Sequence, residues 1–252
     1  MSGDDSALSD ASAASGSSAV SDCASLDELR RARQDRIDAL HRLRAEESAL
    51  LVVDMQRGFL ELGAALEVPA GRAIVPVVRG LVETFRRRAA PVVFTRFVYS
   101  VAVPCLRGDP FGIEHLPAQP GRPTGWGRPS GNCLIGPGAT SGPDSAEIVA
   151  ELAPRADELV VDGHTYDKFL GTPLDLALRS RGIRFVVVAG VVTDVCVNAT
   201  VMSAAARDYR VTVATDGVAT LWPELQEACF AIWRRKFARL RTAAEIAGEL
   251  EE

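Results

Sequence analysis

The sequence has few of the residues that build metal centres, disulfide frameworks and membrane spans. Its three histidines, His41, His115 and His164, are too few for a multi-histidine metal site. Its five cysteines are odd in number and irregularly spaced, with no CxxC, so no disulfide framework or zinc site is predicted. No apolar run approaches the roughly 20 residues of a membrane span, and the first residues lack the basic start and apolar core of a signal peptide. We therefore expect a cytoplasmic protein without a metal, a cofactor or a membrane partner.

Acidic residues outnumber basic ones, 33 to 28, and the arginines are scattered along the chain rather than massed. The formal net charge is -5 and the sequence pI is about 5.4. Nucleic-acid-binding domains usually carry a basic patch, so no nucleic-acid partner is predicted. Lysine is especially rare, because Lys168 and Lys236 are the only two in the chain.

The composition predicts a tail, a helical extension and one large domain. Residues 1–25 are rich in Ser, Ala, Asp and Gly and have few large apolar side chains, so we predict a disordered tail. Residues 26–46 carry spaced apolar residues among many charges, which is typical of an amphipathic helix. Packing of this helix on the domain or on a second subunit is favoured over a dedicated partner-binding role. Residues 47–252 are long enough to bury a single large core.

From Ala49 onward strands and helices alternate, which predicts an α/β fold with an open parallel sheet and helices on both faces. The predicted strands are Ala49–Val53, Pro91–Thr95, Glu158–Val161, Phe185–Ala189 and Arg210–Ala214. The predicted helices are Ala73–Arg88, Ser145–Leu152, Pro173–Arg181, Asn198–Arg207 and Glu224–Arg235. The Gly/Pro-rich stretch 101–142 is either a flexible insertion or part of a site wall.

Two polar residues fall where ligands gather in such a sheet, beyond the carboxyl ends of the strands. Asp54 follows the first strand, and Cys196 lies between the fourth strand and the next helix. Unpaired N–H groups and the helix dipole at that position favour a thiolate. Taken separately, Asp54 is also explained as a helix or turn cap, and Cys196 as a small buried hydrophobic residue. Together they favour a cysteine nucleophile with a carboxylate base.

Four blocks in the right order give the chain its resemblance to a known family. They are Val52-Val53-Asp54-Met55-Gln56-xx-Phe59, Thr165-Tyr166-xx-Phe169-x-Gly171-Thr172-x-Leu174, Leu178-Arg179-x-x-Gly182-Ile183 and Gly190-Val191-x-Thr193-x-x-Cys196-Val197. Over about residues 49–249 the chain resembles the isochorismatase-like cysteine hydrolases, and among them the amidohydrolase-type members. The resemblance implies a Rossmann-like fold, an Asp–Lys–Cys triad and homo-oligomers, as dimers or larger assemblies.

The resemblance also implies roles for individual residues. Asp54 matches the acid of the family and Cys196 its nucleophile. The peptide between Val191 and Val192 matches a non-proline cis bond. The backbone N–H groups of Val192 and Cys196 would then form the oxyanion hole, which usually contributes most to acyl transfer.

The family's lysine is missing, because its position is occupied by Gly163. Lys168 and His164 are the candidates for a third catalytic member, although a solvated lysine and a hydrogen-bonded histidine are ordinary alternatives. The missing lysine leaves two functions open. The chain is either a metal-independent cysteine hydrolase, or an impaired or repurposed relative that serves as a binding or structural subunit or passes the acyl group to an acceptor other than water.

The substrate is expected to be a small molecule with an amide, carbamoyl or ureide group, because vinyl-ether-cleaving isochorismatases usually lack the cysteine. Nicotinamidase-like members bind a metal through Asp-x-His after the second strand, and that segment has no histidine here. Arg96 or Arg128 is a candidate for binding a carboxylate, and Phe59 or Trp126 for an apolar wall. Tyr166 is a further substrate-binding candidate. Surface solvation or core packing is an equal alternative for these side chains.

Overall fold

The computed structural model describes residues 25–64, 66–98, 100, 102–103, 133, 135 and 145–251. The chain divides into two compact units, Met1–Arg36 and Ile37–Glu252. Helix α1, Leu26–His41, begins in the first unit and ends in the second, and none of its residues is buried. The helix ends before Glu46, the predicted end, and a short 3-10 turn follows at Ala45–Glu47.

The second unit contains a parallel sheet of six strands in the order β3-β2-β1-β4-β5-β6. The strands are β1 Ser48–Val53, β2 Val92–Phe97, β3 Leu159–Gly163, β4 Phe185–Val191, β5 Arg210–Ala219 and β6 Ala238–Arg241. The other helices are α2 Arg57–Leu60, α3 Pro69–Arg87, α4 Leu174–Ser180, α5 Asn198–Ala206, α6 Pro223–Ile232 and α7 Ala243–Glu251. The predicted α/β class and parallel sheet are confirmed.

Strands β1 and β4 are buried along their whole length, as expected of central strands covered on both faces. Leu50 belongs to one apolar core, with residues of α3 and α7. Its neighbour Leu51 points the other way, into a second core with residues of α4 and α5. The two cores hold helices against both faces of the sheet and leave the strand ends at its edge.

Several boundaries differ from the sequence prediction. Four of the five predicted strands run further toward their carboxyl ends, and β6 and α7 were missed because short polar or alanine-rich segments have weak periodicity. The helix predicted at Ser145–Leu152 is wrong. Ile148 pairs with Gln56 in an antiparallel bridge, and only Ala150–Leu152 forms a 3-10 turn. Carbonyl groups of this segment accept hydrogen bonds from the chain that follows β1, so they are not used within a helix.

Gly190 allows the two central strands to approach at the point where they end. It has φ +129°, and a Cβ atom there would lie 2.0 Å from the Val53 carbonyl oxygen. A larger residue cannot be accommodated in this conformation. Most of the predicted insertion 101–142 lies outside the described residues. Within the ranges that the structure describes, no helix is long and apolar enough to cross a membrane.

Candidate active site

Asp54 and Cys196 lie at the same edge of the sheet because the strands that carry them are neighbours. In the ladder between β1 and β4, Val53 is opposite Gly190. Asp54 follows directly, in a left-handed conformation with φ +51°. After β4 the chain passes through a cis peptide bond between Val191 and Val192, as the resemblance implied, and then makes a π-helical turn at Thr193–Val197 that carries Cys196.

Asp54 is fully buried and its two carboxylate oxygens face different partners. The hydroxyl of Thr95, on the adjacent strand β2, donates to Oδ1 at 2.8 Å. The ammonium nitrogen of Lys168 lies 2.8 Å from Oδ2. The carboxylate is therefore held in one orientation by a hydroxyl and a cation.

Lys168 is also fully buried, although it lies five residues after the position where the family has its lysine. Its Nζ donates to the carbonyl oxygen of Thr165 at 3.1 Å and lies 5.1 Å from the centre of the Phe97 ring. A Cβ atom on Gly163 would lie 3.2 Å from Lys168 Cδ and 3.6 Å from Nζ. The Lys168 side chain therefore occupies the space into which a side chain at position 163 would extend.

His164, the other candidate for a third member, contacts a different group. Its Nδ1 lies 3.0 Å from the carbonyl oxygen of Val98, and the residue does not line the pocket beside Cys196. Of the two candidates, the structure brings only Lys168 to Asp54.

The thiol does not have the lowered pKa that its place before a helix predicts. Cys196 is only 4% exposed. Burial raises its pKa well above the usual 9.0, and although the charge of Lys168 opposes this change, the charge of Asp54 and its hydrogen bond to the thiol add to it. Burial alone would lower the pKa of Lys168, but the nearby charges of Asp54 and Cys196 outweigh it and the pKa is raised above 10.5. Both changes in pKa favour a neutral thiol beside a cationic lysine.

One backbone group of the turn interacts with the sulfur. A hydrogen bond from the backbone of Val192 favours the thiolate of Cys196. The carbonyl oxygen of Val192 accepts hydrogen bonds from the N–H groups of Val195 and Val197, at 3.1 and 3.2 Å, which fixes the turn. The proposed role of Val192 and Cys196 in binding an oxyanion remains a prediction.

A mainly apolar cleft of about 640 Å³, part of it open to solvent, leads to Cys196. Phe59 and Tyr166 line it, as the sequence predicts, and the Tyr166 ring stacks on Phe97 with 5.9 Å between the ring centres. The other lining residues are Leu66, Val68, Val191, Val192, Asp194, Val195, Thr220, Leu221 and Trp222. Thr220–Trp222 follow β5 directly, so the rule that places ligands beyond strand ends would have identified them had β5 been predicted to its full length.

Arg96 pairs with acidic side chains and is not among the described residues that line the cleft. Its guanidinium binds both oxygens of Asp162, across from it on β3, at 2.7 and 3.0 Å, and it also contacts Glu147 at 2.8 Å. The guanidinium N–H groups of Arg96 therefore donate to these two acids and not to a group in the cleft. Trp126 and Arg128 lie outside the described residues.

A second thiol lies near the charged pair. Cys133 is buried, and the side-chain nitrogen of Gln56 lies 3.7 Å from its sulfur. Burial raises its pKa, and the charge of Asp54 adds to that effect. Within the described part of the chain, no group of three or more His, Cys, Asp or Glu residues is arranged to hold a metal ion.

Comparison with known proteins places the chain in a family. Residues 48–245 match the family model described as the isochorismatase domain. A protein of Arabidopsis thaliana named as a probable inactive nicotinamidase is 32% identical over 190 residues, which is 73% of this chain and 87% of that protein. A ureidoacrylate amidohydrolase of Variovorax paradoxus is 30% identical over 172 residues, which is 66% of each chain.

Solved structures share the fold. A cysteine hydrolase from Pseudomonas syringae pv. phaseolicola has a TM-score of 0.66 and 26% identity, over 83% of this chain and 95% of that one. N-carbamoylsarcosine amidase from Thermoplasma acidophilum has a TM-score of 0.59 and 30% identity, over 78% of this chain and 96% of that one.

Proposed function

Because the chain belongs to the isochorismatase family, we propose that it is a cysteine hydrolase that cleaves the C–N bond of an amide, carbamoyl or ureide group in a small molecule. One observation carries the proposal. Cys196 opens onto a cleft and interacts with Asp54, whose carboxylate is paired at 2.8 Å with Lys168. The similar proteins named as an amidohydrolase and an amidase support this bond type.

In this proposal Asp54 is the general base for a thiol that is not ionised in advance. The Cys196 sulfur attacks the substrate's carbonyl carbon while its proton passes to Asp54. The electron pair of the C=O bond moves to the oxygen, which the N–H groups of Val192 and Cys196 stabilise. When the C–N bond breaks, the leaving nitrogen takes the proton from Asp54 and a thioester remains on Cys196.

Water then completes the reaction at the same residues. Asp54 takes a proton from the water as its oxygen attacks the thioester carbon, and the bond between sulfur and carbon breaks. The acid is released, and the proton that Asp54 took from the water passes to the Cys196 sulfur. Lys168 stays charged throughout, holds the orientation of Asp54 and balances its negative charge. Since the Lys168 ammonium faces Oδ2 and the Thr95 hydroxyl binds Oδ1, the base is positioned before the substrate enters.

The test is release of ammonia or amine from a panel of primary amides, N-carbamoyl compounds and ureides by the purified protein. We expect Cys196→Ser and Asp54→Asn each to lower kcat about 100-fold or more, because proton transfer and nucleophilic attack both depend on the pair. Cys229→Ser is the matched control, since this thiol is buried but does not line the cleft. The proposal fails if the panel yields no product and iodoacetamide labels Cys196 no faster than Cys133.

An impaired or repurposed protein is the second candidate, motivated by Gly163 and by the relative named as inactive. The pairing of Lys168 with Asp54 argues against loss of the cation, because a lysine is present at the carboxylate from another position. Acyl transfer to an amine or thiol is distinguished by mass spectrometry. A stable acyl group on Cys196 that leaves only when such an acceptor is added would identify that reaction instead of hydrolysis.

A cytoplasmic location, a homo-oligomeric state and the division into a tail, a helical extension and a hydrolase domain also remain predictions. Light scattering after size-exclusion chromatography measures the oligomeric state. Limited proteolysis, which is expected to cut first within residues 1–25, tests the domain boundaries.

A further inference from the structure

Asp194 places a carboxylate in the wall of the cleft, two residues before Cys196. It lies in the π-helical turn that follows the cis peptide bond, and it lines the same cleft as Phe59 and Trp222. The described lining includes no arginine, lysine or histidine. Asp194 is therefore a negative group in a mainly apolar wall beside the proposed nucleophile.

The hydrogen bonds of Asp194 leave acceptor capacity for a ligand. Its Oδ1 accepts a hydrogen bond from the hydroxyl of Thr220, a residue that is 7% exposed. From the residues that the structure describes, Oδ2 accepts no hydrogen bond and the carboxylate forms no ion pair. Asp194 is partly exposed where it lines the cleft, so this oxygen is accessible to a donor on a bound molecule, and a charge-assisted hydrogen bond there would be strong.

A purely structural role explains less of this arrangement. Acidic residues often stabilise the start of a helix by accepting hydrogen bonds from its first N–H groups. Among the described backbone N–H groups, none donates to Asp194. Its one side-chain partner, Thr220, follows β5 and lines the cleft as well.

We propose that Asp194 determines substrate specificity by binding an ammonium or N–H group at the far end of the substrate from the scissile carbonyl, and by disfavouring a carboxylate there. The inference rests on the proposed function, because it names the substrate class of that site. The preferred substrates are amides or ureides with a short apolar body and a nitrogen donor. A carboxylate at the same position would meet like charge across a cleft wall of low polarity.

Three ureas of equal length test the proposal by turnover. Propylurea ends in a methyl group, 3-ureidopropionate in a carboxylate and 2-aminoethylurea in an ammonium group. We expect kcat/KM for ammonia release to be highest for 2-aminoethylurea and lowest for 3-ureidopropionate. In Asp194→Asn the ratio between these two is expected to fall about tenfold or more, mainly through KM, since the hydrogen bond between charged groups is lost.

Two variants separate the local charge from other effects. Asp157→Asn removes the same charge from an exposed residue outside the cleft and is expected to leave the ratio unchanged. Thr220→Val removes the hydroxyl that binds Asp194 but keeps the carboxylate, so the order of the three ureas is expected to persist.

A binding measurement keeps the test independent of catalysis. Butylammonium, butyrate and butanol are compared as protectants of Cys196 against iodoacetamide, and butylammonium is expected to protect at about tenfold lower concentration than butyrate. Equal protection by butyrate, or an Asp194→Asn variant with the same preference, would overturn the inference. If no urea or amide is cleaved but the preference for butylammonium depends on Asp194, the proposed function fails and the charge selection stands.

Discussion

Replacing Lys168 with methionine tests how much the buried ion pair contributes to the free energy of unfolding. Lys168 and Asp54 lie 2.8 Å apart and both are fully buried. Methionine fills much of the same volume with a flexible apolar chain, so the change removes the ammonium group and its bond to the Thr165 carbonyl with little loss of packing. The variant leaves the Asp54 carboxylate buried without its cation.

The size of the effect follows from that unpaired charge. Breaking a buried pair by removing one partner costs about 3–5 kcal/mol. With a urea m-value of about 2 kcal/mol per M, the midpoint of unfolding would fall by about 1.5–2.5 M. A domain of typical stability, about 5–15 kcal/mol, would remain folded at low urea unless it lies near the bottom of that range.

The assay is urea unfolding followed by circular dichroism for the wild type, Lys168→Met, Asp54→Asn and the double variant. The double variant removes both charges, so its cost should be smaller than the sum of the single costs by about 2 kcal/mol. Additivity within about 0.5 kcal/mol would refute the reasoning, because it would mean that the two charges do not interact.

Position 163, where the family has its lysine, allows a rescue experiment. A Cβ atom at position 163 would lie 3.6 Å from the present site of Nζ, which is within reach of a lysine side chain. Adding Gly163→Lys to Lys168→Ala, which leaves the space beside position 163 open, should therefore restore stability and activity in part. Gly163→Met in the same background is the matched control, since it adds bulk without charge and should restore neither.

Further predictions concern the thiol, the packing and the chemistry. The alkylation rate of Cys196 should still rise with pH above 9, because burial raises the pKa of the thiol. In Asp54→Asn the rise should begin at lower pH, because a negative charge that opposes ionisation of the thiol is lost. Peptide mass spectrometry measures both rates, and a plateau near neutral pH would contradict both predictions. Glu249→Gln should cost about 3 kcal/mol in urea unfolding, because Glu249 binds both terminal nitrogens of Arg239, which is 2% exposed, and an unchanged midpoint would count against this. Gly190→Ala should yield little folded protein, because its Cβ would lie 2.0 Å from a carbonyl oxygen of β1; a normal thermal transition would show that the strands can separate. Activity should survive dialysis against a chelator, since no step of the proposed reaction uses a metal, and loss that zinc restores would show otherwise.

Local patterns were enough to predict the elements that carry the site. Apolar runs identified the central strands, and the polar residues that follow two of them identified Asp54 and Cys196. This worked because parallel neighbouring strands place their carboxyl ends at one edge, so position along the chain determines proximity. Short elements such as β6 were not predicted, because four residues are too few to show a hydrophobic periodicity.

The sequence by itself determined the fold class and the edge of the sheet at which Asp54 and Cys196 meet. Only the tertiary structure decided which cation serves Asp54, because the reach of Lys168 across the space beside Gly163 depends on side-chain direction and not on sequence spacing. It also decided that Arg96 binds acids outside the cleft. The raised pKa of Cys196 has the same origin, since burial is the sum of contacts from many distant segments and outweighs the local helix dipole.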